Sequence, residues 1–298
     1  MLAAGADGGH PDDLAARVAS APADADVLEG LALLGGEAAV APLEARVEAE
    51  KGASRAAASR ALALALPAGA LDAWEAGLAK QASVLMKGIP SDPQIAAVTA
   101  LTRACAERAS CYREHVEAAI PTLDGLDAEL TAARAAVTEA DAKARDAVAA
   151  DASRAQELAR LSAGEGDGPK PTAKELADAR FELDAIQKRR DAVYAAVAEA
   201  TQRADALTAR LRALVVALRR ALGPAAAPEA ADLAPLALRV VAACHGDACP
   251  PARAFAAAAL VDAASPPDPA ALDAAITANA DDPALAYLLM TLRAAAPE

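Results

Sequence analysis

The sequence predicts an all-α protein: a body of short helical hairpins into which one long antiparallel coiled-coil hairpin is inserted. Hydrophobic residues make up 55 % of the 298 positions and aromatics only 2 %, so alanine, the strongest helix former, supplies most of the apolar content. Period-two runs of β-branched and aromatic residues are absent, which leaves no strand to place. Two proline-free stretches, 122–168 and 172–223, flank the breaker segment Gly164-Glu165-Gly166-Asp167-Gly168-Pro169-Lys170-Pro171, and apolar residues recur at 3, 4, 3, 4 along both. The expected domains are a helical body at 1–121, the hairpin at 122–222 with its tip loop at 163–171, and helical pairs at 223–298 that pack with the N-terminal body.

In the first part, breakers delimit helices near 12–20, 24–34, 37–50, 53–66, 69–86, 93–107 and 110–120. Asp92-Pro93 is a cap followed by a first-turn proline, and Ser91 to Gln94 is an alternative capping box. The stretch Val27 to Leu43 has one helix ending at glycine and the next opening on small residues and Pro-Leu. It is followed by Arg55-Ala56-Ala57-Ala58-Ser59-Arg60-Ala61-Leu62. Over residues 24–66 this resembles a HEAT-type repeat. The resemblance implies a stacked α-solenoid with a binding surface and no intrinsic chemistry.

The hairpin follows. Its first seam reads Leu123, Leu126, Leu130, Ala133, Val137, Ala140, Ala144. Its second reads Leu176, Ala179, Leu183, Ile186, Arg190, Val193, Val197, Ala200, Ala204, Leu207, Leu211, Leu214, Leu218. Folding the arms about the loop pairs residues whose numbers sum to 337: Leu123 with Leu214, Leu158 with Ala179, Leu161 with Leu176. Large faces small at Val137 with Ala200 and at Ala144 with Val193, which keeps the volume of each layer nearly constant. Asp151 and Arg154 then fall on the seam opposite Ile186 and Leu183. A stutter that turns Val148 and Ala152 or Ala155 inward would repair this, so an irregularity is expected near 148–155. Thr172 to Glu175 is a capping box for the second arm. At about 1.5 Å per residue the expected projection is roughly 55–60 Å.

After the hairpin, helices are expected near 233–244, 250–264, 269–279 and 283–295, with Asp268-Pro269 and Asp282-Pro283 as start signals. The four cysteines form two local pairs, Cys105/Cys111 and Cys244/Cys249, each across a predicted turn, where a disulfide can form; on one continuous helix it could not. A disulfide at each corner is the leading reading and places the chain outside the reducing cytosol. Free thiols, or a metal site using Cys244, His245 and Cys249, are the alternatives. Cys-His-Gly-Asp-Ala-Cys is not a haem attachment sequence.

The chemistry-bearing residues are sparse. Of the three histidines, His10 sits in the low-complexity opening and His115 reads as an exposed helix residue beside Glu114 and Glu117; His245 lies between the second cysteine pair. Trp74 reads as a core anchor. P-loop, Gly-x-Gly-x-x-Gly, His-Glu-x-x-His and EF-hand patterns are absent, so no catalytic residue, cofactor or metal is assigned. The net charge of −13 argues against a nucleic-acid or anionic-membrane surface. The hairpin itself is near neutral, with 17 acidic and 16 basic residues. Lys188-Arg189-Arg190 reads as a solvated face paired with nearby acids.

The longest uncharged apolar run, Ala61 to Leu71, contains Pro67 and Gly69 and is too short to span a bilayer. Met1-Leu2-Ala3-Ala4-Gly5 lacks the basic start and apolar core of a signal peptide. Two readings stand: a cytoplasmic chain, or an exported one whose signal has been removed. These features point to a non-catalytic protein-binding scaffold, periplasmic or attached to the cell surface, that binds protein partners through the repeat surface or the hairpin. A cytoplasmic chaperone-like adaptor, and an enzyme or cofactor binder with a site between distant helices, are the alternatives.

Overall fold

A computed structural model describes residues 11–163, 172–222, 233–243, 253, 256, 257, 260 and 267–296. Among them there are thirteen helices and no strand. The chain divides into two compact units, Met1–Ala128 with Ala206–Glu298, and Glu129–Asp205. In sequence, the second unit is therefore an insertion in the first. The units divide within the two long helices rather than at 121/122 and 222/223, because near its end the second long helix has an all-apolar stretch, Leu214–Leu218, among further buried apolar residues. Leu207, Ala209, Leu211, Leu214, Val215, Val216, Ala217, Leu218 and Ala221 are all buried. A helix apolar all round belongs in a core rather than on a two-helix seam.

The first unit begins with α1 (Pro11–Ser20), α2 (Ala25–Gly35), a 3₁₀ turn at Gly36–Ala39, α3 (Val40–Ala49) and α4 (Gly52–Ala65). Helix α4 is its axis. Ala56, Ala57, Ala58, Ser59, Ala61, Leu62, Ala63, Leu64 and Ala65 are buried, so small side chains face outward on all sides. That is what lets α2, α3 and two later helices approach it together. Asp24 caps α2 by accepting from the amides of Asp26 and Val27.

Helices α5 (Ala68–Ala79), α6 (Val84–Gly88), α7 (Pro93–Cys105) and α8 (Ala109–Ala119) follow. The expected single helix at 69–86 is thus two. Gly77 weakens the last turn of α5, the Gln81 amide closes a turn onto the Leu78 carbonyl, and Ser83 takes an extended ψ of 128° before α6. In this alanine-rich stretch no strong breaker marks the break. At α7 the cap is Asp92, accepting from the amides of Gln94 and Ile95, while Ser91 Oγ donates to the Gly88 carbonyl instead.

Beyond the long helices, α11 (Leu233–Ala243), α12 (Pro269–Ala278) and α13 (Pro283–Ala295) complete this unit. Asp268 and Asp282 cap α12 and α13 as their Asp-Pro spelling predicts. Buried Asn279 donates to the carbonyls of Val241 and Ala275, which joins the end of α12 to α11. Helix α11 in turn packs on the turn at Ile120–Thr122. Of the helix expected at 250–264, Arg253, Ala256, Ala257 and Leu260 are helical and buried; its other residues lie outside the described set.

The second unit takes α9 (Leu123–Ala163) from Glu129 onward and α10 (Ala173–Leu222) as far as Asp205, a packed antiparallel pair. Leu158, Ala179 and Ile186 form one buried cluster, with Ala155 and Leu183 against it. Cross-arm contacts beside it include Arg154 to Glu182 (2.8 Å), Arg189 to Asp151 (3.0 Å) and Arg190 Nη2 to the Val148 carbonyl (3.5 Å). All these partners lie within a residue or three of the expected pairing number.

The stutter is real and its form is specific. Inward positions on α9 run Val137, Ala140, Ala144, then both Ala147 and Val148, then Asp151, Ala155 and Leu158, with Ala152 and Arg154 exposed. One extra four-residue step falls between Ala144 and Ala155, while α10 keeps its 3–4 repeat. This corrects one expectation. Beyond the stutter Leu161 is 42 % exposed instead of facing Leu176. Helix α9 continues through the irregularity without a break.

On the outer face, Lys188 pairs with Asp184 at 2.7 Å and Arg189 with Asp151, as expected of a solvated charge run, but Arg190 turns part-way into the seam. Thr172 and Glu175 form a reciprocal box. The Thr172 amide donates to Glu175 Oε2 (2.7 Å) and the Glu175 amide to Thr172 Oγ1 (3.3 Å), which holds the Glu175 carboxyl below its ordinary range. Residues 164–171 of the expected tip lie outside the described set. No described helix is long and apolar enough to cross a membrane.

Candidate functional site

The α7–α8 corner concentrates the first unit's unusual chemistry. Helix α7 ends at Cys105, and both residues after it, Ala106 (φ 44°) and Glu107 (φ 65°), take left-handed conformations that non-glycine residues avoid. Arg108 stabilises the end of α7 by donating through Nε to the Cys105 carbonyl (3.1 Å) and through Nη2 to that of Ala104 (3.2 Å). Helix α8 then places Cys111 in its first turn. Cys105 and Cys111 are disulfide-bonded with their Cα atoms 5.3 Å apart, as expected for this pair. Cys244, Cys249 and His245 lie outside the described residues, and so does His10.

The strained backbone aims Glu107 at two partners. Its Oε1 accepts from the Ala68 amide at the start of α5 (2.7 Å), and its Oε2 from Arg220 Nη1 in the last turn of α10 (3.0 Å). Arg220 Nη1 also reaches Glu37 (2.6 Å), and its Nη2 donates to the Leu66 carbonyl (3.2 Å). The neighbouring Arg219 donates to the carbonyls of Ala32 (2.9 Å) and Leu64 (3.4 Å), in the last turns of α2 and α4. Burial lowers its guanidinium to about 10. Gly36, at φ +55°, leaves the space Arg219 occupies; a Cβ there would lie 2.9 Å from its Nε. Beneath the corner, Tyr112 is buried with Oη donating to the Thr102 carbonyl (3.4 Å), and burial pushes its phenol up.

One helical turn deeper lies Glu29, which is 2 % exposed in the middle of α2. Arg60 Nε donates to its Oε1 (3.1 Å), and Arg212 Nη2 lies 2.5 Å from its Oε2. Arg60 also donates to Asp92, the α7 cap (3.0 Å). Desolvation opposes the Arg60 charge, but hydrogen bonds and charge from Glu29 and Asp92 outweigh it, so the guanidinium is held above its ordinary range. Arginines 60, 212, 219 and 220 thus tie α2, α4, the α7 cap, the corner and the end of α10 into one network. Each carboxylate in it faces a guanidinium, which suits the cluster to holding helices in place.

Within this site the sequence pointed to the disulfide and to the Asp92 cap. Two signals for the rest were present: Glu29 interrupts the apolar run Val27 to Leu34, and Arg219-Arg220 follow the all-apolar stretch Leu214–Leu218. A charge inside a fully apolar stretch is a charge that folding will bury and must pair.

His115 is exposed on α8, as expected. Trp74 is half-buried, and its indole N–H has no hydrogen-bond partner among the described residues. Near it, a shallow open depression is lined by Asp72, Glu75, Lys87 and Pro90, with both carboxylates engaged by Arg103 (3.2 and 2.9 Å).

The disulfide closes a very short loop, for which chain entropy gives a stabilisation of about 2 kcal/mol. Mild reduction is therefore expected to lower the urea midpoint of the first unit, and Cys111→Ser should reproduce the shift. Comparison of the chain with family models, with curated proteins and with solved structures finds no match in any of the three.

Proposed function

We propose that this chain is a non-catalytic protein-binding scaffold of an oxidising compartment, the periplasm or the cell surface, and that the hairpin carries a contact face. The observation that carries this reading is where the aromatic residues of α10 sit. The chain has two phenylalanines, and Phe181 is 78 % exposed on the outer side of the hairpin, with Tyr194 at 55 % further along the same helix. The seam between the arms is filled by aliphatic residues and needs neither. Exposed aromatics on a charged helix are what protein interfaces select, because large rigid rings bury area at low entropic cost.

The helical body supports the same reading. Its stacked α2, α3 and α4, within the stretch that resembles a HEAT-type repeat, form a scaffold on which binding needs no internal chemistry. The Cys105–Cys111 disulfide favours an oxidising compartment.

The test is capture of cross-linked partners from the native cell by wild-type chain and by the double variant Phe181→Ser/Tyr194→Ser. Loss of about 2 kcal/mol or more of partner affinity, with unchanged unfolding, is expected. Equal capture by both would overturn the hairpin's role. The cytoplasmic adaptor is the competing reading, and four free thiols in protein isolated from its native source would favour it.

A further inference from the structure

We infer that Cys105, Cys111 and His115 form a thiol-gated metal site, which in its reduced state takes a zinc-class divalent cation through two thiolates and one imidazole. The two Sγ atoms and a ring nitrogen of His115 all lie within 4.8 Å of one another. A tetrahedral zinc with Zn–S near 2.3 Å and Zn–N near 2.0–2.1 Å sets its donors about 3.5–3.8 Å apart. Opening the disulfide lets the sulfurs part to that distance, and a small rotation brings the imidazole in.

The donors are arranged for this by the backbone. Cys111 and His115 are four apart on α8 and share one face, and Cys105 closes the opposite side from the end of α7. Burial is graded across the group, with Cys105 buried, Cys111 half-buried and His115 exposed. An ion reaches the site from the His115 side, and water takes the fourth position, an open three-ligand arrangement. Two thiolates and an imidazole select zinc-like cations over magnesium or calcium, which prefer oxygen.

The gate is covalent. While the sulfur–sulfur bond stands, neither sulfur is a thiolate and the corner has one imidazole to offer. Exchange with two equivalents of a small thiol breaks that bond, leaving two cysteine thiols and one disulfide of the reductant. Binding of the cation then releases the two thiol protons. The bound metal replaces the lost covalent clip, so Glu107 keeps its hold on Ala68 and Arg220 in both closed forms.

The experiment uses the full chain carrying Cys244→Ser and Cys249→Ser, so that one cysteine pair remains. The protein is reduced, freed of reductant without oxygen and titrated with cobalt(II). One equivalent should bind, with a sulfur-to-cobalt charge-transfer band in the near ultraviolet that zinc abolishes and that oxidised protein lacks. His115→Ala, an exposed substitution that should leave helicity unchanged, should weaken binding at least about tenfold. Absence of the band in reduced protein, or equal affinity in the His115→Ala variant, would overturn the assignment. Should the double serine variant fold poorly, the same titration of wild type against His115→Ala decides it, because the histidine must account for one equivalent.

Discussion

Glu29→Ala is expected to destabilise the first unit by about 3 kcal/mol, among the largest single effects in the chain. The carboxylate is buried between Arg60 and Arg212. Removing it leaves Arg212 facing apolar α2 without a counter-charge, while Arg60 retains Asp92. The loss should be non-additive. Glu29→Leu with Arg212→Met replaces the charges by apolar volume and should be more stable than either change alone, because the two residues share one desolvation cost. Urea unfolding of the four proteins measures this. A loss below about 1 kcal/mol for Glu29→Ala would mean that water reaches the cluster.

Leu158→Ala is expected to cost about 2–4 kcal/mol in the second unit, whereas Leu161→Ala should cost less than about 0.5 kcal/mol. The two leucines are three residues apart and were equivalent on an unbroken seam. The stutter separates them: Leu158 sits in the cluster with Ala179 and Ile186, and Leu161 stands 42 % exposed. Amide hydrogen exchange resolved along α9 and α10 is the appropriate readout, since the two units need not unfold together. Equal costs would mean that the repeat runs unshifted to the tip.

What was legible in the sequence was local or periodic. The Asp-Pro caps at Asp92, Asp268 and Asp282 and the Thr172–Glu175 box involve partners two or three residues apart, so spacing alone specifies them. The pairing number was legible because every seam position repeats it. Polar Asp151 and Arg154 on that seam announced the stutter, but the choice of Ala155 over Ala152 depends on where the extra step falls. The break between α5 and α6 was hidden because alanine suits helix interiors and leaves little contrast at their ends.

The arginine network was hidden for a different reason. Arg220 meets Glu37 across 183 positions, and Arg219 meets the Ala32 carbonyl across 187. In the sequence an arginine at the end of a long helix is indistinguishable from a solvated one. Only the company it keeps, five apolar residues in succession before it, separates the two cases, and that signal becomes decisive once burial is known.

The inserted hairpin is proposed to be a self-sufficient pair of helices whose outward face binds protein. Its most direct test replaces residues 129–205 by a short flexible linker between Ala128 and Ala206, and compares cross-linked partners captured from the native cell by this variant and by the full chain. The expected variant keeps the cooperative unfolding of the first unit and loses the principal partner. A folded variant that retains every partner would contradict it.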